Sequence, residues 1–219
     1  MKPEIIPAIL AQSKKEFFKK LEIASQLSKT AQIDVMDGLF VKNKTPRDLN
    51  NGRWFAEYLL NPPADVPAIE LHLMVEDPWS VIREWHEYLE LKRAIWHIEI
   101  PIEHGEMIEM VHEFNIEVGL AISHGTSISE LQPFLKPGLI EEVLVMGVKP
   151  GKSGQKFKPE MLKTIRSLSK RPKLKIGVDG GLNLKNAKMI MRAGADRLNA
   201  AGAIFLVDDP SLAYKKLIN

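Results

Sequence analysis

Eight short runs of β-branched and aliphatic residues recur along the chain, and each is followed by a longer stretch whose apolar residues have helical spacing. The predicted strands are Ile5–Leu10, Gln32–Met36, Ile69–Val75, Ala94–Ile100, Glu117–Ile122, Glu142–Val148, Lys175–Val178 and Arg197–Ala200. Strict alternation of strands and helices predicts a parallel sheet covered by helices, that is, an α/β fold.

Two architectures suit this alternation. Eight units within 219 residues favour a closed (β/α)8 TIM barrel, a fold that runs to ~200–250 residues as one domain. A doubly wound open sheet is the competing architecture, but no GxGxxG motif follows the first strand. Because no Pro/Gly/Ser-rich linker or block of charge marks a boundary, residues 1–219 are predicted to form a single domain.

Polar residues stand where three of the helices are expected to begin. Ser13 precedes the first helix, and Glu16 three residues later completes a capping box. Asn183 and Ser211 have corresponding places at the predicted helices Leu184–Ala193 and Ser211–Leu217.

Composition excludes several classes of protein. The chain has no cysteine, which excludes disulfide scaffolds, Cys-ligated zinc and iron–sulfur clusters. A near balance of 30 Lys+Arg and 28 Asp+Glu argues against a nucleic-acid partner. No apolar run approaches the ~18–20 residues that span a bilayer, so no membrane partner is expected. The first residues lack the pattern of a signal peptide, and we expect a soluble, cytoplasmic protein.

Three chemically active side chains are predicted at the carboxyl ends of strands, where TIM barrels hold their active sites. Side chains alternate along a strand, so Gln32, Asp34 and Met36 share one face of the second strand, and Glu70, His72 and Met74 share one face of the third. Asp179 ends the seventh strand.

Each of these three side chains also has a structural explanation: Asp34 as a buried carboxylate held by backbone donors, His72 as a core histidine, and Asp179 as part of an Asp-Gly-Gly turn. Taken together, two carboxylates and an imidazole in one barrel mouth form a plausible set of ligands for a divalent metal. Two carboxylates on opposite sides of one substrate carbon also suit paired acid–base catalysis.

Small residues cluster at three neighbouring strand ends, and they predict a phosphate site, because their backbone N–H groups can approach an anion. The positions are Gly151, Ser153 and Gly154 after the sixth strand, Gly180 and Gly181 after the seventh, and Ala201 and Gly202 after the eighth. Met36, Met74 and Met146 lie near strand ends, where they either pack in the core or form an apolar collar around a reactive intermediate.

The ordered motifs of the chain resemble those of the ribulose-phosphate 3-epimerase family. They are Ile33-Asp34-Val35-Met36-Asp37-Gly38, His72-Leu73-Met74-Val75, Pro150-Gly151 with Gly154-Gln155-Lys156-Phe157, Val178-Asp179-Gly180-Gly181 and Ala203-Ile204-Phe205. The resemblance runs from Pro7 to Pro210. It implies a (β/α)8 barrel that inverts C3 of D-ribulose 5-phosphate to give D-xylulose 5-phosphate, with a divalent metal and one aspartate on each face of an enediolate.

Residue by residue, the resemblance makes Asp34 and Asp179 the catalytic acid–base pair and also metal ligands, with His72 as a third ligand. It also implies that Met36, Met74 and Met146 line the site of the intermediate. Gly151, Gly154, Gly180 and Gly181 match positions of the family's phosphate-binding loops. The expected metal is zinc, iron, manganese or cobalt, the expected partner is a sugar phosphate, and a homo-oligomer is expected.

The chain also departs from the family pattern. Gln32 stands where the family has a second metal-ligating histidine, Ala8 where it has a serine, and Ala201-Gly202 where it has Gly-Ser. We expect Gln32 to be a fourth ligand or to hold a water, and to be a poorer ligand than imidazole for zinc or iron. Two alternatives therefore stay open: a non-catalytic or repurposed sugar-phosphate-binding relative, and an epimerase of a hexulose 6-phosphate.

Overall fold

Eight parallel strands close into a barrel in the computed structural model, which describes residues 3–152 and 154–218. The strands are β1 (Glu4–Ile9), β2 (Thr30–Met36), β3 (Ala68–Met74), β4 (Arg93–His97), β5 (Glu117–Ile122), β6 (Glu142–Met146), β7 (Lys175–Asp179) and β8 (Arg197–Ala200). Each strand pairs with its neighbour in sequence, and β8 pairs with β1. The predicted TIM barrel is confirmed, and the open sheet is wrong.

Helices cover the outside of the barrel. They are α1 (Lys14–Leu27), α2 (Arg47–Asn50), α3 (Arg53–Tyr58), α4 (Pro78–His86), α5 (His104–Glu113), α6 (Met161–Leu168), α7 (Ala187–Arg192), α8 (Gly202–Phe205) and α9 (Pro210–Ile218), with a 3-10 helix at Ile128–Phe134. Within the described ranges, no helix has the length and apolar character needed to cross a membrane.

The three predicted helix starts have different outcomes. Ser13 caps α1 by accepting a hydrogen bond from the Glu16 N–H, as predicted. Asn183 caps the turn that leads into α7, since its Oδ1 accepts from the Lys185 and Asn186 N–H groups and its carbonyl from the Ala187 N–H, although the helix itself begins at Ala187. The Ser211 prediction is wrong, because the Asp209 carboxylate accepts from the Leu212 N–H in the first turn of α9. Asn and Asp open turns and helices by the same hydrogen bond, so neighbouring candidates are easily confused.

Alternation along the strands divides the core into two parts. Outward-facing side chains such as Leu71 and Leu73 pack in the main hydrophobic core between the sheet and the helices. Inside the barrel, a smaller apolar group consists of Ile95, Ala121, Leu144 and Met146.

An ionic layer fills the barrel interior at the amino ends of the strands. The Arg93 guanidinium donates to the carboxylates of Glu70 and Glu142, at 2.7 Å each, and Arg197 donates to the same two carboxylates. All four residues are fully or almost fully buried. Burial at this depth is tolerated only because each charge has opposite charges and hydrogen-bond partners.

Gly177 on β7 makes room for this layer, because a Cβ at that position would overlap the Glu142 carboxylate and the side chain of Leu144. We predict that Gly177→Ala lowers the free energy of unfolding by about 1–3 kcal/mol, since the carboxylate must move away from its arginine partners. Urea unfolding measures the change.

Gly105→Ala is the matched control, because a Cβ at Gly105 on α5 meets no atom within 4 Å. This control should be neutral or stabilising, as alanine is the better helix former. Equal stability of both variants would contradict the packing argument.

Candidate active site

Asp34, His72 and Asp179 converge at the carboxyl end of the barrel, as the sequence predicts. The β2–β3 register places Asp34 beside His72, and β7 ends at Asp179, whose Oδ2 lies 3.5 Å from His72 Nδ1. All three side chains are buried, and one ligand atom from each lies within 4.8 Å of the others. This group could hold a metal ion.

Gln32 lies between the two carboxylates. Its Nε2 donates to Asp34 Oδ1 at 2.8 Å and to Asp179 Oδ2 at 2.7 Å. Its Oε1 points away from them and accepts from Asn199 Nδ2 at 2.6 Å. In this orientation Gln32 is therefore a donor to the candidate ligands, whereas a metal ligand would have to present its oxygen.

A chain of hydrogen bonds holds the His72 ring. Its Nδ1 is 3.1 Å from Asp34 Oδ1 and 3.5 Å from Asp179 Oδ2, and its Nε2 is 3.0 Å from His97 Nε2. His97 Nδ1 is in turn 3.0 Å from the Glu99 carboxylate. A partner for Nε2 leaves Nδ1 directed at the carboxylates, which is the arrangement that fixes a ligating histidine in metal sites.

Burial and charge act in opposite directions on these groups. Burial raises the pKa of Asp34, and the nearby Asp179 charge raises it further, against hydrogen bonds from His72 and Gln32 that lower it. Burial alone would lower the pKa of His72, but hydrogen bonds to Asp179 and Asp34 outweigh it and raise the pKa to about 9. Burial lowers the pKa of His97 to about 4, which makes this ring the neutral acceptor beside His72.

A cavity of about 650 Å³ opens from this group towards the loops after β6, β7 and β8. Most of the predicted binding residues line it: Met74, Met146, Gly151, Gly154, Gly180, Gly181, Ala201 and Gly202, together with Asp34, His72 and Asp179. Met36 does not line the cavity; it is fully buried, so of its two interpretations the core one fits. Ser153 lies outside the described residues.

The Gly180-Gly181 turn is packed tightly against the loop after β6. A Cβ at Gly181 would overlap the backbone of Lys156 and Phe157, and one at Gly180 would overlap Val148. Both glycines have positive φ, at 95° and 71°. Glycine is therefore required here by the loop contact itself, and substitution of Gly181 would displace the loop as well as affect a bound anion.

Asn199 is a buried polar residue of this site that the sequence prediction missed. It lines the cavity, is 1% exposed, and contacts Gln32. The alternation Arg197-Leu198-Asn199 on β8 could have identified it. Residues two positions apart on a strand share a face, so Asn199 points to the same side as the inward-facing Arg197.

Comparisons with known proteins identify the group of proteins to which this chain is related. The model of the "Ribulose-phosphate 3 epimerase family" matches residues 4–205. A relative named ribulose-phosphate 3-epimerase from Schizosaccharomyces pombe is 32% identical, with 99% of this chain and 91% of the relative aligned. Another of the same name from Methanocaldococcus jannaschii is 35% identical over 84% of this chain and 76% of the relative.

Solved structures with a similar fold are more distant in sequence. The 3-keto-L-gulonate-6-phosphate decarboxylase from Vibrio cholerae has a TM-score of 0.70 at 14% identity, covering 100% of this chain and 98% of that one. The 3-hexulose-6-phosphate synthase from Salmonella typhimurium has a TM-score of 0.70 at 13% identity, covering 99% and 96%. These likenesses show the barrel fold alone.

The buried aspartate pair at the mouth of a closed barrel and the family match together define a sugar-converting enzyme of the isomerase class, a carbohydrate epimerase. The chain belongs to the ribulose-phosphate 3-epimerase family.

The raised pKa of His72 predicts how the stability of the chelator-treated protein depends on pH. Its folded pKa of about 9 lies above the value of 6.5 for an unperturbed histidine, so the contribution is complete below pH 6.5 and is lost as pH rises through 9. We expect His72→Gln to be less stable than the parent by about 1–3 kcal/mol at pH 6 and by much less at pH 9.5.

Urea unfolding of both proteins across this pH range measures the difference. A difference that is constant between pH 6 and 9.5 would show that the imidazolium does not contribute.

Proposed function

We propose that the chain inverts C3 of D-ribulose 5-phosphate to give D-xylulose 5-phosphate, using Asp34 and Asp179 as the catalytic acid–base pair. The observation that carries the proposal is the meeting of both carboxylates with His72 in the wall of one deep cavity. The substrate is inferred from the names of the relatives. We therefore propose both the identity of the substrate and the roles of the active-site residues.

Inversion needs a base on one face of C3 and an acid on the other. One aspartate, ionised, takes the C3 proton, and the electron pair of the broken C–H bond passes into the C2 carbonyl to give an enediolate. The other aspartate, protonated, returns a proton to C3 from the opposite face, so that one proton leaves and one is added. The raised pKa of Asp34 suits a carboxyl that must hold a proton near neutral pH.

Neighbouring side chains orient the two carboxylates. Gln32 Nε2 and the His72 ring contact one oxygen of each, which fixes the direction in which the remaining oxygens face the cavity. Preorganised donors of this kind reduce the reorganisation that proton transfer would otherwise require.

We propose a divalent metal as the cofactor, held by Asp34, His72 and Asp179. The donor set fits: two carboxylates and an imidazole whose second nitrogen is already bonded suit zinc, iron, manganese or cobalt. A bound cation would supply positive charge that stabilises the negative charge developing on the sugar oxygens. Gln32 fits as a fourth ligand only if its amide turns.

The loops after β6, β7 and β8 are proposed to hold the phosphate of the substrate. Gly154, Gly181 and Gly202 line the same end of the cavity, and Lys152 and Lys156 add positive charge there. Backbone N–H groups of small residues can reach a phosphate that bulkier side chains would keep away.

Other properties stay predictions. Residues 1–219 are proposed to act as one domain, in a homo-oligomer of cytoplasmic location, with neither nucleic acid nor membrane as partner. A hexulose 6-phosphate remains the alternative substrate, whereas the family match does not favour a non-catalytic relative.

We predict that Asp34→Asn and Asp179→Asn each abolish interconversion of D-ribulose 5-phosphate and D-xylulose 5-phosphate. An amide neither accepts nor returns the C3 proton, so one face of the carbon loses its catalyst. A coupled assay of the product and solvent-deuterium exchange at C3 measure the two half-reactions separately. One variant can retain exchange from a single epimer, because one base is sufficient for abstraction on its own face.

Metal content must be measured in both variants, since each aspartate is also a proposed ligand. Asp48→Asn is the matched control, because this exposed carboxylate on α2 lies outside the cavity. A folded, metal-loaded parent that shows neither interconversion nor C3 exchange with pentulose or hexulose phosphates would contradict the proposed activity.

We predict that Gly202→Val weakens binding of D-ribulose 5-phosphate by at least about tenfold. A Cβ at Gly202 meets only the side chain of Leu206, at 3.4 Å and beyond, so the added methyl groups enter the cavity without disturbing the backbone. Calorimetric titration measures the affinity. Gly105→Val, at an exposed helix position with no atom within 4 Å, controls for the effect of valine on folding. Unchanged affinity in a folded Gly202→Val protein would place the phosphate elsewhere.

A further inference from the structure

The amide pair of Gln32 and Asn199 has an uneven set of hydrogen bonds. Gln32 uses all of its polar atoms: Nε2 donates to Asp34 and Asp179, and Oε1 accepts from Asn199 Nδ2 at 2.6 Å. Asn199 Oδ1, by contrast, is buried and has no hydrogen-bond partner among the described residues. A buried acceptor without a donor is unfavourable and calls for a physical explanation.

Both amides can be reversed without losing the bond between them. If Gln32 turns its oxygen towards Asp34 and Asp179, its Nε2 faces Asn199, and a turned Asn199 presents Oδ1 to accept from it. Asn199 Oδ1 then gains a donor and Nδ2 takes the unpaired position, so the number of unpaired atoms is unchanged and the group that faces Gln32 decides between the two states. Against two ionised carboxylates this orientation is repulsive, because three oxygens face one another, unless a cation lies among them.

The register of the barrel allows the two amides to meet. Gln32 on β2 lies opposite Ala8 on β1, and Asn199 on β8 lies opposite Ile6 on β1, so the two side chains flank the same strand. The inward side chain of Ala8 is a single methyl group, and it leaves the space across which Gln32 and Asn199 contact each other.

We propose that Gln32 and Asn199 form a two-state amide relay, which turns Nε2 of Gln32 towards the carboxylates in the metal-free site and its Oε1 towards a bound divalent cation. Asn199 is then the positioning residue for the fourth ligand: it donates to Gln32 in one state and accepts from it in the other. The inference rests on the proposed metal site, and it concerns how this chain completes that site with an amide.

Replacing Gln32 by leucine removes the amide, and the direction in which Zn²⁺ affinity then changes tests the relay. If the relay turns, Gln32→Leu loses a ligand and lowers Zn²⁺ affinity, by about tenfold. If Nε2 stays directed at the carboxylates, it competes with the cation, and Gln32→Leu raises the affinity. Calorimetric titration of the chelator-treated protein with Zn²⁺ alone gives the answer. A raised or unchanged affinity overturns the relay.

A double-mutant cycle tests the role of Asn199. Asn199→Asp offers only acceptor oxygens when ionised and favours the state in which Gln32 donates to it, so it should raise Zn²⁺ affinity by about tenfold. The same substitution made together with Gln32→Leu keeps the added charge but lacks the relay, and it should raise the affinity by less than about threefold. Equal gains in both backgrounds overturn the positioning role.

Absorption of bound Co²⁺ provides a measurement that does not depend on Asn199 variants folding. Gln32→Leu should change the visible spectrum, since the relay makes Gln32 a ligand, and an unchanged spectrum overturns it.

Failure of the relay is distinguishable from failure of the proposed function. A parent that epimerises D-ribulose 5-phosphate while Gln32→Leu binds Zn²⁺ more tightly refutes only the relay. A parent that binds no divalent cation refutes both the relay and the metal site, and C3 exchange then reports on the epimerase alone.

Discussion

The hydrogen bonding of β8 to β1 closes the sheet, and this closure decides which side chains share the barrel interior. In this register Glu4 is paired with Arg197, and Ile6 is paired with Asn199. Arg197 thereby reaches the carboxylates of Glu70 and Glu142 across the barrel, and Asn199 reaches Gln32. A slip of one residue would turn both side chains out of the barrel, since inward and outward positions alternate. The stability of the barrel floor and the geometry of its mouth therefore depend on the same strand pairing.

The two charged layers of the interior differ in how their charge is balanced. In the lower layer two arginines face two glutamates, and each carboxylate is paired with both guanidinium groups. Burial alone would lower the pKa of Arg197, but the attraction of the Glu142 and Glu70 carboxylates is stronger. The pKa of the Arg197 guanidinium is therefore raised. In the upper layer two aspartates share a single imidazole and the neutral amide of Gln32. The excess of negative charge at the mouth is what makes it suited to a cation and to proton transfer.

The sequence predicted the architecture and the central group of the site because both depend on local periodicity. Strand alternation identifies Asp34 and His72 as inward residues, and eight repeats identify the closed barrel. Met36 also faces inward, but it does not line the cavity: it is fully buried, and Thr45 and Asn50 of the segment after β2 bond to its backbone. Whether a residue at a strand end meets the cavity depends on the segment that packs over it, and alternation along the strand does not reveal that packing.

Contacts between strands that are distant in sequence could not be predicted from the sequence alone. The orientation of the Gln32 amide depends on Asn199, which is 167 residues away, and the packing of Gly181 depends on the Lys156–Phe157 backbone. The glycines looked alike in sequence, yet a Cβ at Gly181 would overlap the backbone of a neighbouring loop, whereas one at Gly202 would meet only the side chain of Leu206 at ordinary contact distance. Only the three-dimensional packing separates a glycine that the fold requires from one that leaves room for a ligand.

The amide of Gln32 also bears on which cation the site would select. Two carboxylates and one imidazole form a borderline donor set that zinc, iron, cobalt and manganese can all use. An amide oxygen as the fourth ligand is harder than an imidazole nitrogen, and it shifts the preference towards cations such as Mn²⁺ that favour oxygen ligands. Because an amide carries no proton to lose near neutral pH, its ligation is independent of pH, whereas His72 must release the proton that Asp34 and Asp179 help it to hold. The pH dependence of metal binding in this chain should therefore arise from His72 and the two carboxylates alone.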